Sequence, residues 1–257
     1  MSKNRIRAIT FDLWDTVIVD DSDEPKRKAM GLASKKVTRR KLVREFLEKH
    51  EPIDQEKVNL AYDTADAAFR VVWYEQNVTW TVRQRIGVVL AGLGRQLPEE
   101  ELAKLVRCHE TMELEVKPDL VPGVEKALPI LAERYKLGVI SDAIFTPGWA
   151  LREMLASYGL ADYFKGFVFS DEAGASKPEP KTFNEAARLL GVDVKEIVHI
   201  GDREEKDITG PHNVGARGIL LTTAKDRGSK STRAEAVCKR YEDLPAILDR
   251  LEKGEKS

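Results

Sequence analysis

Carboxylate, hydroxyl and amine side chains follow four short apolar runs of this 257-residue sequence. In chain order they are Asp12, Ser141, Asp142, Lys177, Asp202 and Asp207. A carboxylate can attack phosphorus, and the negative charge of the transferred group must be neutralised by a metal ion and a cationic side chain. The residue types therefore indicate phosphoryl transfer.

Each of these residues has a specific part that it could take in such chemistry. Asp12 and Asp202 together offer hard oxygen ligands of the kind that Mg²⁺ prefers. Ser141 could donate a hydrogen bond to a phosphoryl oxygen, while Lys177 would supply positive charge and keep Asp12 ionised. Taken singly, an aspartate at a strand end more often caps a turn, so the interpretation depends on their joint order.

The apolar runs themselves are strand-sized and end in polar residues or glycine. They cover residues 6–11, 137–140, 167–169, 197–200 and 218–221. Helical patterns separate the later runs, for example residues 180–190, which Gly191 closes. This alternation predicts an α/β fold with a parallel, doubly wound sheet. Ligands bind at the carboxyl ends of such strands, where the polar residues would meet.

The interval between the first and second runs carries helical signals and no strand pattern. Residues 41–50 place apolar side chains on one helical face, and Thr81 with Gln84 forms the pair of a capping box. Three glutamates at residues 99–101 suit the start of a further helix. We therefore predict an inserted α-helical domain.

Composition narrows the class of partner. The 43 acidic and 42 basic residues nearly cancel, which speaks against nucleic acid and favours a small-molecule substrate. Cys108 and Cys238 form no disulfide or zinc motif. Residues 1–5 lead into a run too short for a signal peptide, and no stretch reaches membrane-spanning length. We expect a cytoplasmic monomer or homodimer that does not interact with membranes.

The four polar loops, in this order, resemble the four motifs of the haloacid dehalogenase-like hydrolase superfamily. The resemblance spans essentially the whole chain and is most specific at residues 174–183 and at residues 199–207, with Gly210 and Gly215. It implies a Rossmann-like catalytic core formed by residues 1–19 and 119–257. Residues 20–118 would form a helical cap of the C1 type that opens to admit substrate.

The resemblance also implies roles for particular residues. Asp12 would be a nucleophile that becomes a transient aspartyl-phosphate, and Mg²⁺ would be held by Asp12, the backbone carbonyl of Trp14 and Asp202. Asp207 would be a supporting metal carboxylate. The substrate, a small phosphorylated metabolite, would be bound by Thr16, Ser141, Asp142 and Lys177.

One position departs from the phosphatases of the superfamily. Their second residue after the nucleophile is usually an aspartate that protonates the leaving oxygen, and here it is Trp14. Loss of a general acid costs about 10²–10⁴-fold in rate. Asp15 is the candidate replacement, although it stands where the superfamily often has glycine.

Trp14 leaves two other functions open. An aromatic residue there is typical of 2-haloacid dehalogenases, which work without metal and whose halide leaves without a proton. Those enzymes lack the metal-binding aspartate and commonly carry asparagine at the position of Asp142, so Asp202 and Asp142 favour a phosphatase. The second alternative is a catalytically impaired protein that binds a phosphorylated metabolite, against which the retained Asp12 and Lys177 speak.

Overall fold

The computed structural model describes residues 5–254, so residues 1–4, on which the signal-peptide expectation largely depends, lie outside it. Within the described residues, six strands form one parallel sheet of order β3-β2-β1-β4-β5-β6. The strands are β1 (Ala8–Phe11), β2 (Lys136–Ser141), β3 (Phe164–Phe169), β4 (Ile197–Gly201), β5 (Arg217–Leu221) and β6 (Ala236–Cys238). The predicted α/β fold with a parallel sheet is confirmed.

The register of the central strands brings the candidate residues to one edge of the sheet. Phe11, at the end of β1, pairs with Val139 of β2 on one side and with Ile200 of β4 on the other. The backbone N–H of Asp12 donates to the carbonyl of Ile200 at 2.9 Å. The loops that follow β1, β2 and β4 therefore leave the sheet side by side.

Two strands differ from the sequence prediction. β3 begins three residues earlier than predicted, at Phe164, because Lys165 and Gly166 interrupt the apolar pattern but still lie in the strand. β6 was not predicted at all, because its three residues are too few to give a periodic signal.

Six helices of the described residues lie within residues 20–118, where a helical insertion was predicted. They are α1 (Asp23–Ala29), α2 (Lys35–Glu48), α3 (Gln55–Glu75), α4 (Val82–Gly92), α5 (Glu99–Glu110) and α6 (Met112–Glu115). The capping box predicted at Thr81 and Gln84 opens α4. Helix α2 begins six residues before the predicted start, because Ser34 caps its N-terminus through the N–H of Val37.

The insertion has an apolar core of its own. Leu47, Tyr62, Ile86 and Leu105 are among the buried residues of this cluster, which is separate from the cluster under the sheet. Burial of one apolar stripe per helix accounts for the packing of α2 to α5 against each other. The boundaries of the core and the cap, at residues 19/20 and 118/119, stay a prediction.

The remaining helices surround the sheet. They are α7 (Val124–Ala132), α8 (Gly148–Ser157), α9 (Ser170–Ala173), α10 (Pro180–Leu190), α11 (Gly210–Asn213) and α12 (Leu244–Lys253). The prediction of a helix over residues 180–190, closed by Gly191, is confirmed. None of the helices described in residues 5–254 combines the length and apolar character needed to cross a membrane.

Candidate active site

The loop after β1 folds tightly and fixes the direction of its side chains. The carbonyl of Leu13 accepts the backbone N–H groups of Val17 at 2.7 Å and of Ile18 at 2.9 Å. Asp15 adopts a left-handed conformation with φ of 55°, which is uncommon for a residue other than glycine. This turn separates Asp12 and Trp14, which line the main cavity, from Asp15, which does not line it.

Lys177 lies between two carboxylates. Its Nζ is 2.8 Å from Asp12 Oδ1 and 2.5 Å from Asp207 Oδ1, and the residue is only 2% exposed. Burial alone would lower the pKa of Lys177, but the surrounding carboxylates of Asp12, Asp207 and Asp142 raise it above its ordinary value. The amine is therefore charged and holds Asp12 in a fixed orientation.

Asp207 is fully occupied by hydrogen bonds. Besides Lys177, its Oδ1 contacts His199 Nε2 at 3.1 Å, and its Oδ2 accepts the backbone N–H of Arg203 at 2.9 Å. Burial alone would raise the pKa of Asp207, yet Lys177 and His199 hold it well below the usual range. Burial lowers the pKa of His199, whose Nδ1 contacts Thr10 Oγ1 at 2.8 Å. Asp207 thus supports Lys177 and is less free than its neighbours to bind a ligand.

Asp202 lies beside Asp12 and has an oxygen without a hydrogen-bond partner, whose ionic contact with Arg203 Nε is long, at 3.9 Å. Ligand atoms of Asp12, Asp202 and Asp207 lie within 4.8 Å of one another. Asp202 is completely buried, its Oδ2 is paired with Arg227, and its Oδ1 has no hydrogen-bond partner. Such an unpaired buried oxygen is rare and calls for an explanation.

The electrostatics of this cluster favour the binding of a cation. Burial, followed by the carboxylates of Asp12 and Asp207, raises the pKa of Asp202 to about 7. Burial also raises the pKa of Asp12, and Lys177 only partly opposes it. Hard oxygen ligands of this kind suit a divalent cation, whose charge would offset both effects. The described residues therefore fit a metal at Asp12 and Asp202.

Asp142 joins the helical insertion to the sheet. Its Oδ2 accepts hydrogen bonds from Trp73 Nε1 at 3.0 Å and from Lys206 Nζ at 2.6 Å. Its Oδ1 accepts the backbone N–H of Lys177 at 3.1 Å. Asp142 is therefore a positioning group that aims Lys206 into the cavity.

Two predicted hydroxyl groups lie near the same edge of the sheet. Ser141, the last residue of β2, and Thr16, in the loop after β1, are both buried, and neither hydroxyl has a hydrogen-bond partner. Buried hydroxyl groups normally have partners. Neither residue lines the cavity, so any contact of these hydroxyl groups with a ligand stays a prediction.

Asp15 is the predicted residue that the structure turns away from this group. Its Oδ2 is 2.6 Å from Arg227, and its Oδ1 accepts the backbone N–H of Asp20 at 3.1 Å. Both oxygens are therefore occupied in holding the loop together. This placement speaks against Asp15 as a proton donor, because the left-handed turn directs its side chain away from the cavity.

The cavity has a volume of about 320 Å³ and both parts of the chain line it. Several charged residues that the sequence did not indicate also line the cavity, among them Asp20, Lys35, Arg39, Glu113, Arg203 and Lys206. Lys206 and Arg203 lie inside the fourth motif and could have been found there. Lys35, Arg39 and Glu113 lie on helices, where a charged residue is usually solvated, so the sequence gives no signal for them.

A parallel sheet with a helical insertion, and a buried carboxylate and lysine at its edge, defines a class of hydrolytic α/β proteins. The model of the haloacid dehalogenase-like hydrolase family matches residues 6–215. The chain belongs to that family, as its four loops predicted.

Two curated relatives are similar over different lengths. The glyceraldehyde 3-phosphate phosphatase of Methanopyrus kandleri is 37% identical over 131 residues, which cover 50% of this chain and 54% of that protein. The chain thus matches about half the length of this relative. The glyceraldehyde 3-phosphate phosphatase of Pyrococcus furiosus is 28% identical over 258 residues, which cover 97% of this chain and 94% of that protein.

A solved structure shares the fold. The 2-haloacid dehalogenase from Pseudomonas syringae pv. Tomato DC3000 aligns with a TM-score of 0.65 at 24% identity, covering 95% of this chain and 99% of that one. This likeness is evidence for the fold and not for the reaction.

Proposed function

We propose that this hydrolase is a Mg²⁺-dependent phosphatase that acts on a small phosphate ester, with Asp12 as the nucleophile. The observation that carries the proposal is the buried Oδ1 of Asp202, which has no hydrogen-bond partner and only a long ionic contact with Arg203 at 3.9 Å. It lies beside an Asp12 that Lys177 holds in place. A metal-free mechanism gives no use for this oxygen. The names of the two curated relatives support the same reaction class.

In the proposed reaction, a carboxylate oxygen of Asp12 attacks the phosphorus atom and the bond from phosphorus to the ester oxygen breaks. Water then hydrolyses the aspartyl-phosphate, which releases inorganic phosphate and restores Asp12. Lys177 offsets the charge of the phosphoryl oxygens and keeps Asp12 ionised. The free hydroxyl groups of Ser141 and Thr16 donate to the same oxygens.

The metal would be held by Asp12, Asp202 and the backbone carbonyl of Trp14, where it would neutralise charge on the phosphoryl group. Asp207 keeps Lys177 and the loop after β4 in position, since its oxygens are already occupied. Asp142 binds substrate indirectly, by orienting Lys206. Asp15 has no part in this proposal, because Arg227 and the N–H of Asp20 occupy its carboxylate.

A 2-haloacid dehalogenase is the second candidate, and Trp14 is the observation that favours it. That reaction needs neither a proton donor nor a metal, so it would leave the Oδ1 atom of Asp202, which has no hydrogen-bond partner, without a purpose. Phosphoryl transfer uses this atom, and we therefore prefer it.

The test compares p-nitrophenyl phosphate and 2-chloropropionate as substrates of the purified protein, each with Mg²⁺ and with excess chelator. We expect phosphate release that requires Mg²⁺ and is lost in Asp12→Asn. Asp202→Asn should lower the rate and weaken the dependence on Mg²⁺ together.

Asp162→Asn, which changes an exposed aspartate outside the site, is the matched control and should retain full activity. Chelator-insensitive chloride release would instead identify a dehalogenase. Binding of a phosphate ester without turnover would indicate a protein that only binds its ligand.

A further inference from the structure

Arg39 of helix α2 is a buried cation without an anionic partner among the described residues. It is 7% exposed and lines the cavity, and its Nε has no hydrogen-bond partner among the described residues. Neither a salt bridge nor a side-chain hydrogen bond to Arg39 is found within residues 5–254. Buried arginines are nearly always paired, because the desolvation of an isolated charge is costly.

The ring of Phe145 offsets part of this cost, whereas the neighbouring cation Arg85 adds to it. Its guanidinium lies 3.6 Å from the ring centroid of Phe145, and that of Arg85 lies 3.8 Å from the same centroid. Arg85 is neutralised by Asp66 at 2.6 Å, whereas Arg39 has no such partner. Burial, opposed in part by Glu113, lowers the pKa of Arg39.

The nearest acidic group is already in use. Glu113 Oε1 lies 2.8 Å from Lys35 Nζ, which also lies 2.7 Å from Asp23 Oδ1. These contacts bind Glu113 to Lys35 and leave Arg39 as the free cation of the cavity wall formed by the insertion. Phe145 packs against the guanidinium and fixes its plane, so the fork of N–H groups is oriented before a ligand arrives.

We propose that Arg39 binds a second anionic group of the substrate, so that the substrate is a small phosphate ester with a carboxylate at its other end. This inference depends on the proposed function and names the substrate class of that site. A planar guanidinium matches a carboxylate through two parallel hydrogen bonds. The cavity of about 320 Å³ has room for a short carbon chain between the two anions.

The proposal predicts different values of kcat/KM for two esters that differ at one carbon atom. 3-Phosphoglycerate carries a carboxylate where glyceraldehyde 3-phosphate carries an aldehyde, and the rest of the two molecules is the same. A hydrogen bond between charged groups, when broken, changes affinity by about 10- to 100-fold. We expect kcat/KM for 3-phosphoglycerate to exceed that for glyceraldehyde 3-phosphate by at least about tenfold.

The variants are Arg39→Met, which keeps apolar bulk against Phe145, and Arg39→Lys, which keeps the charge and loses the fork. Arg39→Met should lower kcat/KM for 3-phosphoglycerate by about 10- to 100-fold and change that for glyceraldehyde 3-phosphate by less than about threefold. Arg39→Lys should have a kcat/KM for 3-phosphoglycerate between those of the wild type and Arg39→Met. Arg44 lies on the exposed side of the same helix and is paired with Glu48. Arg44→Met is therefore the control, and it should leave kcat/KM for both esters unchanged.

A stability measurement distinguishes ligand binding from a structural role. If the role of Arg39 is to bind substrate, Arg39→Met removes an uncompensated charge. The melting temperature of the free protein should then stay the same or rise. A marked fall in melting temperature would mean that Arg39 serves the fold, and would overturn the proposal.

Calorimetric titration keeps the inference testable if turnover is absent. With Mg²⁺ present, 3-phosphoglycerate should bind the wild type at least about tenfold more tightly than it binds Arg39→Met. Equal affinity of the wild type and Arg39→Met for 3-phosphoglycerate would overturn the inference while leaving the phosphatase proposal intact. An equal loss of affinity for both esters in the variant would do the same. Failure of every ester and of p-nitrophenyl phosphate to release phosphate would overturn the proposed function alone.

Discussion

Trp14 determines how the leaving group departs. It lines the cavity at the position where phosphatases of the family usually carry a proton-donating aspartate, and Asp15 faces Arg227. Without a donor at this position, esters whose alcohol leaves easily as an anion should react fastest. We expect p-nitrophenyl phosphate to turn over about 10²–10⁴ times faster than glycerol 3-phosphate at saturation.

The matching variant is Trp14→Asp, measured with both esters. It should raise kcat for glycerol 3-phosphate and have little effect on p-nitrophenyl phosphate, because only the poorer leaving group needs a proton. Asp15→Asn should leave the ratio between the two esters unchanged. Equal rates for both esters in the wild type would contradict this account and would indicate another proton donor in the cavity.

Asp20 should make substrate binding depend on pH. Although Asp20 is exposed, desolvation by its surroundings, followed by the carboxylates of Asp21, Asp15 and Glu113, raises its pKa to about 6, and Lys35 opposes this only in part. Asp20 is thus neutral below about pH 6 and negative above it. Because it lines the cavity, the negative form should repel an anionic substrate.

Comparison of the wild type with Asp20→Asn isolates this effect from the titration of the substrate itself. The ratio of their KM values should be about 1 at pH 5 and rise to a few-fold at pH 7.5, as expected for one charge at a solvated wall. A ratio that stays constant with pH would rule out this role of Asp20.

At the scale of elements, the end of β4 shows why the fourth motif begins with glycine. A Cβ atom on Gly201 would collide with the side chain of Asp207. We expect Gly201→Ala to displace Asp207 from Lys177, to lower stability by about 1–3 kcal/mol and to reduce kcat by about 10²-fold. Thermal unfolding and initial rates would measure both.

Gly87→Ala is the control for this change. Gly87 is exposed in the middle of α4, and a Cβ atom there meets nothing within 4 Å. This substitution should raise stability by about 0.5–1 kcal/mol, because alanine favours the helix, and should leave activity unchanged. Loss of activity in Gly87→Ala but not in Gly201→Ala would contradict the role assigned to the strand end.

The elements were predictable to the extent that they leave a local pattern. The buried strands β1, β2, β4 and β5, the helix that ends before Gly191 and the capping box at Thr81 all have periodic or capping signals. β6 has three residues and gives none. The site was predictable only where a loop follows a strand, since Arg39 and Glu113 reach the cavity by the packing of helices, which depends on contacts distant in sequence.

At the scale of the whole molecule, the insertion closes over the sheet through a few polar contacts. The N–H of Ser176 donates to the carbonyl of Asn77 at 2.7 Å, and Asn77 Nδ2 donates to Glu179 at 2.9 Å. Polar contacts of this kind can break and form again, which favours a cap that opens, and we expect residues 20–23 and 118–122 to be its hinges.

Hydrogen exchange tests this motion. With Mg²⁺ and orthovanadate bound, peptides that cover residues 73–80 and 170–179 should exchange more slowly, and both by a similar factor, because one closing event protects both. Peptides from β4 should be unaffected. Protection confined to one of the two segments would contradict a cap that moves as a unit.

The most direct test of Asp12 as the nucleophile is a search for a phosphoryl group on its side chain. The protein is mixed with p-nitrophenyl phosphate and Mg²⁺, quenched in acid within the first turnovers, digested and examined by mass spectrometry. We expect the peptide that contains Asp12 to gain the mass of one phosphoryl group, and Asp12→Asn to show no gain. Steady phosphate release without any phosphorylated Asp12 peptide, or with the phosphoryl group on another residue, would contradict the account.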